Sequence, residues 1–145
     1  MAIRFKKEHP IYKCFSNFYP IKITYNGLTY QSVEAAWQAQ KCMTDEERIQ
    51  FTRMTPSQAK RTGRQVHMRP DWEGIKYQLM VDICTIKFQN PTLSNILKNT
   101  GDEILIEDTT GWHDNIWGDC QCDKCKNITG QNLLGKALME VRKHL

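Results

Sequence analysis

The alternation of apolar and polar positions predicts a mainly helical, α+β domain with a small β-hairpin or sheet. Ile21-Lys-Ile-Thr-Tyr25 alternates, Asn26-Gly27 follows, and Leu28-Thr-Tyr30 resumes. Asn-Gly between two such runs is a strong hairpin signal, because both central residues of the tight turn need positive φ. Ser32 reads as the N-cap of a helix over residues 33–43. Thr44-Asp-Glu-Glu47 reads as a capping box opening a second helix that reaches about Met54. Thr55-Pro56-Ser-Gln58 opens a third, with Pro56 at its first position and Gly63 at its end. Asp71 then caps a long helix in which Trp72, Ile75, Leu79, Ile83 and Ile86 recur at helical spacing until Asn90-Pro91 stops it. A short helix over 93–98, a strand over 103–107 and a last helix from about Asn132 complete the order. Leu134, Leu138, Val141 and Leu145 share one face of that last helix.

Length and composition narrow the class. At 145 residues with a 40% hydrophobic share, one soluble domain spanning 1–145 is expected, large enough to bury a core without staples. No apolar run approaches the length of a membrane span, and the N-terminus lacks an apolar signal core. A cytoplasmic protein is therefore expected, with its six cysteines mostly reduced. Cys14, Cys42 and Cys84 stand singly in apolar or helical contexts and read as buried small hydrophobes. The net charge of +4 is modest, but Arg53, Lys60, Arg61, Arg64 and Arg69 cluster with His67 and no acidic residue among them. That run is a candidate phosphate-facing patch, with a solvated helix face as the alternative.

Three segments hold candidate chemistry. Glu34, Gln38 and Lys41 are four and three residues apart, so a helix carries them on one face, with Trp37 beside them. A carboxylate, an amide and an amine in one row can grip a ribose and act on it. Ala35, Ala36 and Ala39 keep that helix slim. The plain alternative is an exposed helix with an acidic residue in its first turn. A lysine becomes a nucleophile when burial or a neighbouring cation lowers its pKa, and Lys41 beside Trp37 can meet that condition. Glu34 is then near enough to shuttle protons or to steady a developing cation.

The second segment is Gly111-Trp-His-Asp-Asn-Ile-Trp-Gly-Asp119, which runs into Cys120-Gln-Cys122-Asp-Lys-Cys125. Trp117, with Gly118 and Asp119 after it in a loop, offers a stacking surface for a base. Three thiolates spaced C-x-C-x-x-C can share one structural zinc, or they can stay free. His113 is the nearest candidate for a fourth ligand, with Cys14, Cys42 and Cys84 as alternatives. Such a metal would support the loop and would not be needed for catalysis. In the third segment, Asn132 and Gly135 open the last helix. A helix N-terminus with a close-approach glycine suits an anion or a diphosphate, and an ordinary Asn cap is the alternative.

Taken together, several strings resemble the NADAR, or YbiA-like, family. They are Phe15-Ser-Asn-Phe18, Gly27-x-x-Tyr30-x-Ser32-x-Glu34, Gln38-Ala-Gln-Lys41, Gly63-Arg64, Arg69-x-Asp-Trp72-x-x-Ile-Lys76, Lys87-Phe88, Trp117-Gly-Asp119 and Asn132-x-Leu-Gly135-x-x-Leu-Met-x-x-Arg142. Their order and spacing carry the likeness from about residue 12 to the C-terminus. The resemblance implies a mostly helical domain and intracellular N-glycosidase chemistry on nucleotide-derived substrates. Two activities go with the family. One removes ADP-ribose from guanine in DNA, a modification linked to toxin–antitoxin systems. The other cleaves phosphorylated early intermediates of riboflavin synthesis. By position, Glu34, Lys41, Trp72, Trp117 and Asp119 match the family's site motifs, and Asn17, Arg64 and Asn132 match positions expected to line the pocket. One departure stands out: members closest to the bacterial riboflavin-pathway enzyme carry a glycine-rich stretch after Trp-Gly-Asp, and here Cys-Gln-Cys-Asp-Lys-Cys takes that place, so the rim near the substrate differs.

The chemistry expected on this basis is cleavage of a ribosyl C1–N bond by Lys41, through a Schiff base that water hydrolyses. Glu34 and Asp119 would handle protons. Trp37, Gln38, Trp72, Trp117 and Gly118 would frame the substrate, and Arg64 would meet phosphate. Direct water attack, with Asp119 or Glu34 as base, is the alternative. Two non-enzymatic readings stand beside it: a module that binds ADP-ribose or NAD without turnover, and a zinc-supported nucleic-acid binder using the basic run. The modest net charge weighs against the latter as a sole function.

Overall fold

A computed structural model describes residues 1–145, with strands β1 (Ala2–Phe5), β2 (Ile23–Tyr25), β3 (Leu28–Tyr30) and β4 (Ile104–Glu107), and helices α1 (Val33–Ala39), α2 (Asp45–Arg48), α3 (Pro56–Gly63), α4 (Trp72–Lys87), α5 (Pro91–Lys98) and α6 (Leu133–Lys143). Six helices and two small two-stranded sheets make it α+β with helix predominating. No helix is long and apolar enough to cross a membrane. The chain divides into two compact units, Asn17–Gln89 and the pair of segments Met1–Ser16 and Asn90–Leu145.

In the first of these, β2 and β3 form the predicted hairpin, pairing Ile23 with Tyr30 and Tyr25 with Leu28. Asn26 and Gly27 both take positive φ, 49° and 86°, which is what the tight turn demands. Ser32 caps α1 through its hydroxyl, which accepts from the Ala35 N–H. Every residue of α1 is buried, because α3, α4, the hairpin and a 3₁₀ turn over Ile49–Arg53 all pack on it. The small Ala35, Ala36 and Ala39 make that close surround possible. A surface helix with an exposed Glu34 is therefore not what forms. The helix also stops at Ala39, short of Met43, because the N–H groups of Gln40, Lys41 and Cys42 turn back three residues, to Trp37, Gln38 and Ala39. The second predicted helix is likewise brief: α2 ends at Arg48 and a 3₁₀ turn continues it. Thr55 and Gln58 make a complete capping box for α3, with Pro56 in the first turn. Asp71 does not cap α4, because both its oxygens accept from Arg69 instead.

In the other unit, β1 pairs in parallel with β4, from Ala2 opposite Ile104 to Phe5 opposite Glu107. Helix α6 packs on β4 and buries Leu134, Ala137, Leu138 and Val141. Phe5 meets Phe15 edge-to-face at 5.6 Å between ring centroids. Asn90 caps α5 by accepting from the Leu93 N–H. Arg142 near the end of α6 donates to the Thr100 hydroxyl (2.8 Å) and to the Glu103 carbonyl (2.9 Å), which satisfies backbone at the start of β4.

The junction of α6 with β4 is the tightest point of this unit. Asn132 takes left-handed backbone (φ 55°) and makes no N-cap bond. Its side chain reaches β4: Nδ2 donates to the Leu105 carbonyl (2.8 Å) and Oδ1 accepts from the Glu107 N–H (3.0 Å). Gly135 follows one turn later with its Cα face against the Leu105 carbonyl, so any Cβ there would fall on that oxygen and on the Asn132 amide. Gly135→Ala is expected to destabilise the protein by about 3 kcal/mol, since backbone has to move to admit the methyl. A urea titration with an unchanged midpoint would refute this close approach.

Candidate functional site

The unit Asn17–Gln89 brings together Asn17, Glu34, Trp37, Gln38, Lys41, Arg64 and Trp72. The residues are assembled around α1. Glu34 is 7% exposed and Gln38 5%, so a carboxylate and an amide sit inside the unit. Gln38 Nε2 donates to Glu34 Oε2 at 2.7 Å, one helical turn apart. That bond fixes the amide's orientation, because the reverse would set two oxygens against each other. It leaves Gln38 Oε1 buried without a hydrogen-bond partner. Gly63 of α3 is in van der Waals range of this amide, and a Cβ on it would collide with the Gln38 side chain. The glycine thereby allows α3 to close over the Glu34–Gln38 pair.

Asn17 enters from the segment before the hairpin. Its carbonyl accepts from the Glu34 N–H (3.0 Å), and its side-chain Nδ2 faces Met80 Sδ at 3.6 Å. Asn17 Oδ1 is buried and unpartnered. Two buried acceptors without donors, on residues joined to the same glutamate, are a costly arrangement at about 1–3 kcal/mol each.

Lys41 lies just past α1, its backbone held on both sides: its N–H donates to the Gln38 carbonyl and its carbonyl accepts from the Arg69 N–H. The amine Nζ is 3.4 Å from the Gly63 carbonyl, 5.5 Å from the Trp37 ring centroid and 5.8 Å from that of Trp72. Burial pushes the Lys41 pKa below that of an ordinary lysine; Glu34 pulls it back up, and Arg64 and Lys76 push it further down. Desolvation outweighs the attraction of Glu34, so the neutral amine is more accessible here than on a free lysine. Trp37 and Trp72 meet at 5.0 Å between centroids, and the Trp37 indole N–H donates to the Lys76 carbonyl. Both rings are more than nine-tenths buried, so they serve as walls beside the amine more than as open stacking faces.

The basic run divides. Arg53, Arg61 and Arg64 are exposed, whereas Arg69 is committed to Asp71 through a bidentate pair of 2.7 and 3.2 Å. The patch predicted over 53–69 thus loses one of its charges to a neighbour just outside the run. Lys60 lies over the Phe18 ring at 5.8 Å.

Trp117, Gly118, Asp119, Asn132 and Gly135 belong to the other unit. Trp117 is half-buried; its N–H donates to Asp114 Oδ1 and its carbonyl accepts from the Leu134 N–H. Gly118 is pressed on the Glu107 carbonyl and the Thr109 methyl, which leaves no room for a side chain. Asp119 has both oxygens engaged: Oδ2 accepts from Arg4 Nη1 (3.1 Å) and Oδ1 from the Gly130 N–H (2.9 Å). Arg4 also pairs with Asp108 and donates to the Asp119 carbonyl. The geometry of Asp119, Gly118, Asn132 and Gly135 is that of residues tying a loop to β4. Arg4, Thr109 and Asp114 organise the same loop and are not singled out by the sequence. Arg4 acts on Asp119, 115 residues away. The Thr109 hydroxyl, by contrast, donates to the Asp114 carbonyl, and Asp114 Oδ1 accepts from the Ile116 and Trp117 N–H groups, a local Asx-type turn that the sequence could have signalled.

Comparison with known proteins adds the following. The model of the NADAR domain family matches residues 4–145. The N-glycosidase Npun_R5314 of Nostoc punctiforme is 34% identical, over 100% of this chain and 93% of that protein. The N-glycosidase YbiA of Escherichia coli is 36% identical, over 99% of this chain and 88% of that protein. Its NMR structure superposes with a TM-score of 0.83, covering 99% of this chain and 84% of the other. A protein named riboflavin biosynthesis protein VVA0006, from Vibrio vulnificus, is 37% identical over 90% of this chain but only 35% of its own length.

Proposed function

The chain belongs to the NADAR family, and from that premise we propose that it is an N-glycosidase that cleaves a ribosyl C1–N bond, with ADP-ribose on guanine in DNA as its substrate. The observation that carries the reading is the buried Glu34–Gln38 pair next to half-buried Lys41, whose amine is biased toward its neutral form. A ribose supplies a hydroxyl donor for Asn17 Oδ1. Its C1 is the electrophile that an amine attacks. Exposed Arg61 and Arg64 suit a diphosphate.

In the proposed reaction, neutral Lys41 Nζ forms a bond to C1 while the C1–N electron pair leaves with the base. Glu34, as the nearest acid, gives the departing nitrogen its proton. The lysine-bound sugar loses an N–H proton and opens at the ring oxygen, which takes a proton, to leave a Schiff base. Water then adds to C1 and the amine departs, returning free ADP-ribose and neutral lysine. Asp119, held by Arg4 and the Gly130 N–H with a lone pair left on each oxygen, stands beside Glu34 as the second carboxylate proposed to handle protons.

A second substrate is favoured by one relative's name: the Vibrio protein is called a riboflavin biosynthesis protein. The deciding experiment offers the protein DNA carrying ADP-ribosylated guanine and, separately, a ribosylaminopyrimidine phosphate, each beside a Lys41→Ala control. Release of ADP-ribose from DNA, absent with the variant, is the expected result. Cleavage of the pyrimidine alone would replace the substrate while keeping the chemistry. No turnover of either, with retained binding of ADP-ribose, would leave a binding module.

A further inference from the structure

The loop between β4 and α6 runs from Asp108 to Asn132 without a helix or strand. Connections of that length are uncommon in compact proteins unless something organises them. Within this loop the ligand atoms of His113, Cys120, Cys122 and Cys125 lie within 4.8 Å of one another. His113 Nδ1 is 3.6 Å from Cys120 Sγ, 3.3 Å from Cys122 Sγ and 3.6 Å from Cys125 Sγ. One imidazole nitrogen has a single proton or a single lone pair, so it cannot make three directed hydrogen bonds at once. Three sulfurs at nearly equal range from one nitrogen are the vertices of a polyhedron with a common centre.

We propose that His113, Cys120, Cys122 and Cys125 hold one structural zinc ion. A tetrahedral ion with Zn–S near 2.3 Å and Zn–N near 2.0–2.1 Å sets its nitrogen about 3.6 Å from each sulfur, which is the spacing found. Three thiolates with one imidazole suit zinc, and carboxylate-seeking cations have no oxygen ligand here. The set fills all four positions, so the ion has no open site for water or substrate and its role is to hold the loop. The other cysteines do not compete: Cys14, Cys42 and Cys84 are buried and lie outside the cluster. The backbone supports the same geometry. The Cys120 N–H donates to Asn115 Oδ1, and the Cys125 N–H turns back to the Cys122 carbonyl. His113 adopts φ 59°, an uncommon conformation for a residue with a Cβ, and a metal bond at its ring would help to hold it there. Trp117 and Asp119 lie between the first and second ligands, so the ion would brace the segment that carries them.

The test uses the full chain purified under reducing conditions without chelator. Elemental analysis is expected to find one zinc per chain, and cobalt substitution to give tetrahedral ligand-field bands with thiolate charge transfer. Cys122→Ser and His113→Ala are expected to lose the metal, and Gln121→Ala and Cys84→Ala to keep it. A strong chelator should lower the melting midpoint of the unaltered chain and leave that of Cys122→Ser unchanged. A reduced, folded wild-type chain that takes up neither zinc nor cobalt would overturn the proposal, as would a disulfide among Cys120, Cys122 and Cys125 in the protein as purified. Metal content is read from the unaltered protein, so a variant that fails to fold does not blur the result.

Discussion

Lys41→Ala is expected to lower kcat/KM at least about 10³-fold on whichever substrate the protein turns over, because it removes the nucleophile itself. Lys41→Arg should be as inactive. A guanidinium keeps a positive charge near the site but stays protonated at any working pH, so it can replace a phosphate ligand and cannot attack C1. The pair of variants therefore separates two roles for this lysine. Partial activity in Lys41→Arg would assign it to binding and leave water as the nucleophile. Borohydride added during turnover should trap a sugar on Lys41 of the unaltered protein and none on either variant. The pH profile is a third readout. Burial lowers the Lys41 pKa from its usual 10.5, so the neutral fraction, and the rate with it, rises with pH on a limb that lies below that value, until loss of the Glu34 proton turns the rate down. Stability has the same sign: between the lowered folded pKa and 10.5 the unfolded chain binds more protons than the folded one, and stability rises with pH across that window.

Much of this arrangement is legible in the sequence, and the reasons are local. Asn26-Gly27, Ser32, the Thr55–Gln58 box and Asn90-Pro91 mark element boundaries through bonds spanning two to four residues, which a reader of sequence can count. The Glu34–Gln38 pair is legible for the same reason, through the helical repeat, whereas Lys41 lies past the end of α1 and is placed by the tight turns after Ala39. What escapes is decided by partners far apart in the chain. β1 is four residues long and exists because β4, about a hundred positions later, pairs with it. The C-terminal shortfall of α1 depends on tight backbone turns after Ala39 and on a bond from Arg69 to Lys41. Asp71 looks like a cap because it precedes a helix, but an arginine two residues earlier holds its oxygens. Asp119, Gly118, Asn132 and Gly135 attract notice as site residues because they are polar or glycine at a loop and a helix start. The sequence does not show that their side chains and missing side chains also meet Arg4 and the backbone of β4. The Cys–His cluster falls between these cases: C-x-C-x-x-C is visible at once, whereas His113 is one of several candidate partners until the fold brings it within 4.8 Å of the three thiols.

Glu34→Gln is expected to reduce kcat/KM by about 10²- to 10⁴-fold, the range for loss of a positioned acid or base. The exchange is nearly isosteric, and Gln38 Nε2 keeps an oxygen to donate to, so the buried row can remain folded. Two consequences follow from the lost charge. No proton is available to the departing nitrogen, which slows C1–N cleavage most for the poorest leaving groups. A substrate whose base departs without protonation should therefore recover much of the rate. The second consequence appears in the pH profile. Glu34 is the largest influence that raises the Lys41 pKa against burial, with Arg64 acting in the opposite direction. Removing its charge lets desolvation act with less opposition, so the ascending limb of any residual activity should move to lower pH. A purely structural role for Glu34 predicts lower activity with the limb in place. Glu34 and Lys41 act as one coupled device if the limb moves, and the double variant should then lose little more than Lys41→Ala alone. A limb that moves to higher pH, or additive losses in the double variant, would separate the two residues and return the reaction to water attack.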